Sequence, residues 1–234
     1  MIGSFRYKFY MAKKNISQEK IIQSFINSAF EKSAGATSLS DIATDLQIKK
    51  ASLYNHFENR DAMYTASIEY CANEIQIVNF LPDTNYETIK KNKTTPQTMF
   101  RRLITRYFEI FETEPLFAVY SFVHTEKYFN VNALSIVENE TKRIIKDIKK
   151  MISTFMENGK LEKRNDKEQK EIATIIATVI LQQRDYYIAK RKETVRQNPE
   201  SGVGCLFALP PDETELNKTV KTVDSLLKIL TPVE

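Results

Sequence analysis

Apolar side chains recur at intervals of three and four residues along most of this chain, which is the spacing that places them on one face of an α-helix. The first segment of this kind predicts a helix over residues 17–32, with Ile21, Phe25 and Ala29 on its buried face. Further helices are predicted over 38–46, 49–56, 60–80, 96–114, 116–124, 132–158, 167–195 and 213–230. The polar stretch 81–95 breaks the pattern and predicts a flexible connector. Glycine is scarce, with five residues, which also favours an all-α protein.

The two short segments after the first helix form a recognisable unit. Ser38 and Asp41 have the spacing of a capping box at the start of a helix. A tight turn separates that helix from a second one, in which Leu53 and Phe57 are expected to face inward. The outward positions carry cationic, hydroxyl and amide side chains that suit phosphate oxygens and base edges: Lys50, Ser52, Tyr54, Asn55 and His56. The pattern predicts a helix-turn-helix whose second helix enters the major groove.

The run IATDLQIKKASLYNHFENRDAMY resembles the signature of TetR-type transcriptional regulators, and the resemblance extends over roughly residues 17–64. Three positions depart from the usual family pattern: Gln47 and Ala51 stand where glycine is common, and Lys49 where a capping serine is common. We therefore expect Gln47 to adopt positive φ and Lys49 to leave its helix without a side-chain cap.

The resemblance implies an N-terminal three-helix DNA-binding domain at 17–62, preceded by an arm at 1–16 and followed by a helical effector-binding and dimerisation domain at 63–234. Arg60 occupies the basic position of the family and is expected to clamp a phosphate. The predicted DNA-contacting residues are Ser17, Thr37, Ser38, Lys49, Lys50, Ser52, Tyr54, Asn55, His56 and Arg60.

The distribution of charge agrees with this assignment. Residues 1–60 contain nine Lys and Arg against five Asp and Glu, so they hold the whole net charge of +4. Such a local excess of cations is the electrostatic footprint of a surface that contacts nucleic acid. In the basic-aromatic arm, four cationic residues could reach neighbouring phosphates, although a frayed terminus is the simpler interpretation: Arg6, Lys8, Lys13 and Lys14.

The resemblance also implies a small-molecule cavity between the middle helices and a homodimer formed through the last two long helices. Aromatic residues and one histidine in this region predict a wall with few charges, suited to a flat or lipophilic effector, although the same residues could simply be core. The predicted effector-binding residues are Tyr107, Phe111, Tyr120, His124 and Tyr187.

The sequence offers no candidate for enzyme catalysis. His56 and His124 have no Cys, Asp or Glu at metal-ligand spacing, and no phosphate-binding glycine loop or nucleophile motif is present, so neither a metal nor a cofactor is expected. Two distant cysteines, no membrane-length apolar run and no signal peptide predict a cytoplasmic protein.

The sequence therefore predicts a ligand-responsive repressor that binds a pseudo-palindromic operator on double-stranded DNA as a dimer. One alternative is a helical ligand-binding or adaptor protein of the same fold that no longer binds DNA specifically. Another is an activator or nucleoid-type binder, which differs from a repressor only in where its DNA site lies.

Overall fold

The computed structural model describes residues 16–198 and 212–232, and the regular structure within them is entirely helical. The described helices are α1 (Gln18–Lys32), α2 (Leu39–Asp45), α3 (Lys50–Leu53), α4 (Arg60–Ile77), α5 (Asp83–Lys90), α6 (Pro96–Ile110), α7 (Leu116–Glu126), α8 (Val131–Glu157), α9 (Asp166–Gln197) and α10 (Glu213–Ile229). The all-α prediction is confirmed. The predicted arm, apart from Ile16, and the apolar patch at 205–209 with Cys205 lie outside the described residues.

Most of the long helices begin where the sequence predicted. Most of them begin at a side chain that accepts a hydrogen bond from a backbone amide of the first turn. Ser17 accepts from the amide of Lys20 at the start of α1, Thr95 caps α6, and Asp212 caps α10. These caps satisfy amides that have no partner inside a helix. Gly159, with φ of 72°, ends α8 in the left-handed conformation that glycine adopts without a steric penalty.

The predicted flexible connector at 81–95 is wrong, because most of it is the ordered helix α5. Leu81, Asn85 and Ile89 are buried at four-residue spacing, and α5 packs against α8. The Asn158 side chain also donates to the Ile89 carbonyl over 2.8 Å. Three buried positions, one of them the polar Asn85, among twelve mostly polar neighbours are too few to be recognised as a helical stripe from the sequence.

Helix α4 connects the helix-turn-helix to the rest of the molecule. It packs against α1 near its beginning and against α7 and α8 along its length. Aromatic pairs join the two parts directly, with Phe25 and Phe122 at 6.1 Å and Phe30 and Phe117 at 5.1 Å between ring centroids. Tyr64 of α4 donates to Glu126 of α7 over 2.7 Å. The first helix is thus packed on the body, and a domain boundary at residue 62 stays a prediction.

Candidate DNA-binding surface and buried polar centre

The helix-turn-helix is built from the residues that the sequence singled out. Ser38 and Asp41 form the predicted capping box, and Lys32 pairs with Asp41 over 2.7 Å. The serine hydroxyl and the lysine ammonium together hold the pKa of Asp41 well below its ordinary value, with the lysine the larger cause. Gln47 has φ of 56°, so the expected positive φ in the turn is confirmed. Lys49 makes no side-chain cap, as expected.

The second helix of the motif is shorter than predicted. Its α-helical part covers only Lys50–Leu53, and the turn continues through bonds from the amides of His56 and Phe57 to the Leu53 carbonyl. Leu53 and Phe57 are buried as expected and hold this segment against the core. Because these two side chains fix the orientation of the segment, its remaining side chains lie together on the side that faces solvent. Lys49, Lys50, Tyr54 and Asn55 are exposed, Tyr54 by 52%, while Ser52 and His56 are partly exposed.

Arg60 and Thr37 were both predicted to contact DNA, but in the structure each hydrogen-bonds to carbonyls of the protein itself. Arg60 points back at the loop after α1, where its guanidinium donates to the carbonyls of Thr37, over 3.0 Å, and Ala34, and lies 5.6 Å from the Phe25 ring centroid. Thr37 is buried, and its hydroxyl donates to the Ser33 carbonyl over 2.9 Å. Arg60 therefore braces the motif from inside, and the Thr37 hydroxyl is not available at the surface. Ser17 and Ser38 are exposed at the starts of α1 and α2.

A buried ion pair lies at the centre of the helical body. Arg184 of α9 has no exposed surface, and its two terminal nitrogens donate to the two carboxylate oxygens of Glu140 of α8 over 2.8 and 3.0 Å. The guanidinium carbon lies between 4.4 and 4.7 Å from the ring centroids of Tyr107, Phe111 and Tyr120. The Tyr107 hydroxyl donates to Glu140 over 2.5 Å. A bidentate pair inside an aromatic cage is the arrangement that a planar guanidinium satisfies best.

Burial and the ion pair together set the direction of the pKa shifts in this centre. Burial alone would raise the pKa of Glu140, but the charge and hydrogen bonds of Arg184 lower it below its ordinary value. Burial also raises the pKa of Tyr107 and Tyr120, so both phenols stay protonated. His124 stacks on Tyr120 at 3.8 Å, and burial lowers its pKa, which favours the neutral imidazole. Its Nδ1 lies 3.3 Å from Asp185, although neither ring nitrogen has a well-directed hydrogen bond.

Comparison with known proteins assigns the first part of the chain. Residues 26–66 match the family model described as "Bacterial regulatory proteins, tetR family". The N-terminal part of the chain is therefore similar to the DNA-binding part of TetR-family regulators. Over 72 residues it is 40% identical to the biofilm operon icaADBC HTH-type negative transcriptional regulator IcaR of Staphylococcus epidermidis, a match that covers 30% of this chain and 38% of that protein. The IcaR proteins of Staphylococcus aureus, including strain Newman, are 43% identical over 54 residues, 23% of this chain and 29% of theirs. The chain thus spans less than two fifths of the length of these curated relatives.

The fold of the whole chain is also that of TetR-type proteins. A TetR transcription regulator from Haloarcula marismortui has a TM-score of 0.57 at 12% identity, covering 92% of this chain and 98% of that one. A TetR-family regulator from Marinobacter aquaeolei VT8 has the same TM-score at 17% identity, and the match covers 93% of this chain and 92% of that one. At these identities the likeness describes the fold alone.

Most of the residues that the TetR resemblance suggested for effector binding pack against one another in the core. Tyr107, Phe111, Tyr120 and His124 come together, but their rings contact one another and Arg184. Tyr187 packs instead on Phe108, and its hydroxyl accepts from the amide of Asp212. The expected wall with few charges is wrong, since a fully buried ion pair lies within it.

Sequence analysis missed Arg184 and Glu140, although a signal was present. Each charged residue stands four positions from an inward apolar one, Ile180 in α9 and Ile144 in α8, and so occupies the buried register of its helix. Within residues 16–198 and 212–232, no group of three His, Cys, Asp or Glu side chains could hold a metal ion, and no helix is long and apolar enough to cross a membrane.

Proposed function

We propose that this protein is a ligand-responsive transcriptional repressor that binds a pseudo-palindromic DNA site as a homodimer. The observation that supports this most is the exposed set Lys49, Lys50, Tyr54 and Asn55 on a helix-turn-helix whose inner residues are buried. The IcaR relatives are negative transcriptional regulators, which supports repression rather than activation.

DNA binding follows from the chemistry of that exposed set. The lysines can donate to phosphates or to guanine, and Asn55 can reach a phosphate or a base edge. We expect Tyr54 and His56, which are exposed and partly exposed, to contact the DNA backbone, together with Ser17 and Ser38 where α1 and α2 begin. Because phosphate neutralisation releases counterions, affinity should fall steeply with salt.

A mobility-shift assay on the DNA upstream of the protein's own gene tests this proposal. The unmodified protein is expected to bind and the double variant Lys50→Ala, Tyr54→Ala to lose specific binding. A matched double variant on the body, Lys93→Ala with Tyr128→Ala, is expected to bind normally, since both residues are exposed away from the motif. Absence of DNA binding, or affinity that is constant from about 50 to about 200 mM salt, would instead favour a ligand-binding or adaptor protein.

The dimer is proposed to form through α9 and α10, because both display apolar side chains to solvent. Ile175 and Tyr186 of α9 are 54% and 56% exposed, with the partly buried Val179 between them, and Ile229 of α10 is also exposed. Exposed apolar side chains in a row are typical of a surface that a partner covers. We expect Ile175→Glu with Tyr186→Glu to give monomers in native mass spectrometry. The control Phe129→Glu, exposed at the junction of α7 and α8, should remain a dimer.

The effector is proposed to act on the helix that starts at Arg60. A ligand bound in the body that favours a different position of α4 would move the two helix-turn-helix motifs relative to each other and shift the population away from the DNA-binding spacing. The same mobility-shift assay, repeated with the small molecules that co-purify with the protein, tests this step.

A further inference from the structure

A cleft of about 430 Å³ lies between the end of α4 and the middle of α8, and it reaches inward as far as Tyr107 and Glu140. Phe80 and Tyr107 line its inner part, with their rings edge to face at 5.2 Å. The volume is within the range of clefts that hold small organic molecules, and the aromatic lining suits a flat or apolar body. Of the predicted effector-binding residues, only Tyr107 belongs to this cleft.

The charges in the cleft favour an anion. Arg143 and Lys146 of α8 line it, and neither has an Asp or Glu oxygen within 4.0 Å in the described part of the chain. The carboxylate of Glu140 is already neutralised by Arg184. Asp147, the other acid of the lining, is partly buried, and this desolvation raises its pKa. Two cations therefore face one acid that is not already paired.

Arg143 also holds the end of α4. Its two terminal nitrogens donate to the carbonyls of Gln76 and Ile75 over 2.6 and 2.9 Å. These carbonyls belong to the last turn of α4, where the helix dipole is negative. The fork geometry of a guanidinium matches a carboxylate still better, because both terminal nitrogens can donate to one planar group that also carries the opposite charge. A carboxylate in the cleft would thus compete directly with α4 for Arg143.

We propose that the cleft between α4 and α8 binds a small organic carboxylate with an apolar or aromatic body, and that its charged group draws Arg143 away from the carbonyls of Ile75 and Gln76. This inference rests on the proposed ligand response and specifies its chemical class. Lys146 contributes the second positive charge at the cleft, and the apolar body lies over Phe80 and Tyr107, which are 2% and 1% exposed at its floor. The end of α4 then loses one of its two arginine contacts, while Arg106 keeps the other through the Asn79 carbonyl, over 2.7 Å.

Calorimetric titration of the full-length protein without DNA tests the ligand class. The probes are benzoate, 2-naphthoate and octanoate, each with its neutral amide, and benzamidine as the cation. We expect at least one carboxylate to bind about tenfold or more tightly than its amide and than benzamidine. Arg143→Gln should remove this preference, and Lys146→Gln, an exposed change that leaves the core intact, should weaken it several-fold. Arg102→Gln, which removes an exposed arginine from α6, should leave it unchanged.

Hydrogen exchange tests the coupling to α4 in the same samples. With a bound carboxylate, the amides of residues 75–80 should exchange faster, because their segment has lost its Arg143 contact. Equal binding of acid and amide, tighter binding of benzamidine, no binding of any carboxylate, or binding that survives Arg143→Gln would each overturn the inference.

The outcome is separable from that for DNA binding. If the protein binds a carboxylate but no DNA in the mobility-shift assay, the repressor proposal is wrong and the proposed ligand site is retained. If the protein binds DNA but prefers the amides to the carboxylates, the proposed ligand site is wrong and the repressor proposal is retained.

Discussion

Removing the charge of Glu140 should destabilise the protein more than any exposed charge change on the same helix. Glu140→Gln keeps the size of the side chain but replaces the carboxylate that receives both terminal nitrogens of Arg184. Arg184 is fully buried, and its Nε already has no hydrogen-bond partner. The substitution therefore leaves a positive charge in the core with only aromatic faces and an amide around it.

The expected loss follows from the burial of the pair. Removing one member of a buried ion pair costs about 3–5 kcal/mol, because the remaining charge stays desolvated without compensation. The three aromatic rings over Arg184 retain part of the stabilisation, so we expect about 3 kcal/mol for Glu140→Gln. That is a large share of the roughly 5–15 kcal/mol that stabilises a typical domain. Replacing both members, Glu140→Leu with Arg184→Met, should cost far less, since apolar side chains of similar volume need no partner.

Urea denaturation followed by circular dichroism measures these differences. The control is Glu138→Gln, which breaks an exposed pair with Lys142 on the same helix and should cost about 0.5 kcal/mol or less. The m-value should not change, so the shift in midpoint reports stability. If Glu140→Gln costs no more than Glu138→Gln, or if the double replacement costs as much as the single one, the ion pair does not have the role assigned to it.

Three further predictions follow from individual side chains. Gln47→Gly should raise the free energy of unfolding by up to about 1 kcal/mol in thermal unfolding, because glycine adopts positive φ without strain. Gln23→Gly, inside α1, is the control and should lower it by about the same amount. Arg60→Gln should weaken DNA binding without changing its salt dependence, because Arg60 hydrogen-bonds to loop carbonyls and not to DNA. If the slope of log affinity against log salt concentration fell by about one, Arg60 would instead be a phosphate contact. His124 has a folded pKa below its ordinary 6.5, so its contribution to stability is present above that pH and is lost as the pH falls through the folded value. His124→Gln should flatten the stability profile in that acidic range, and an unchanged profile would contradict the assignment.

Local chemistry made much of the fold predictable from the sequence. The caps at Ser17, Ser38, Thr95 and Asp212, and the left-handed Gly159, each act within one turn of chain, so their residue types suffice to place a helix end. The same holds for the helix-turn-helix, whose capping box, positive-φ turn and buried anchors are all encoded within twenty residues. The exposure of Lys50, Tyr54 and Asn55 follows from that local geometry.

What the sequence could not decide depends on partners far along the chain. Glu140 and Arg184 are 44 residues apart, and each is stable in the core only because the other meets it there. Arg60 was predicted to face a phosphate, but in the fold two loop carbonyls from more than twenty residues earlier occupy its guanidinium. Helix α5 likewise needed α8 to bury its few apolar positions. The sequence by itself determined where the capped helices begin and which of their sides face inward, because those choices are made by neighbouring residues. Only the tertiary structure decided which charges are buried, since that depends on the charge or carbonyl that another helix supplies.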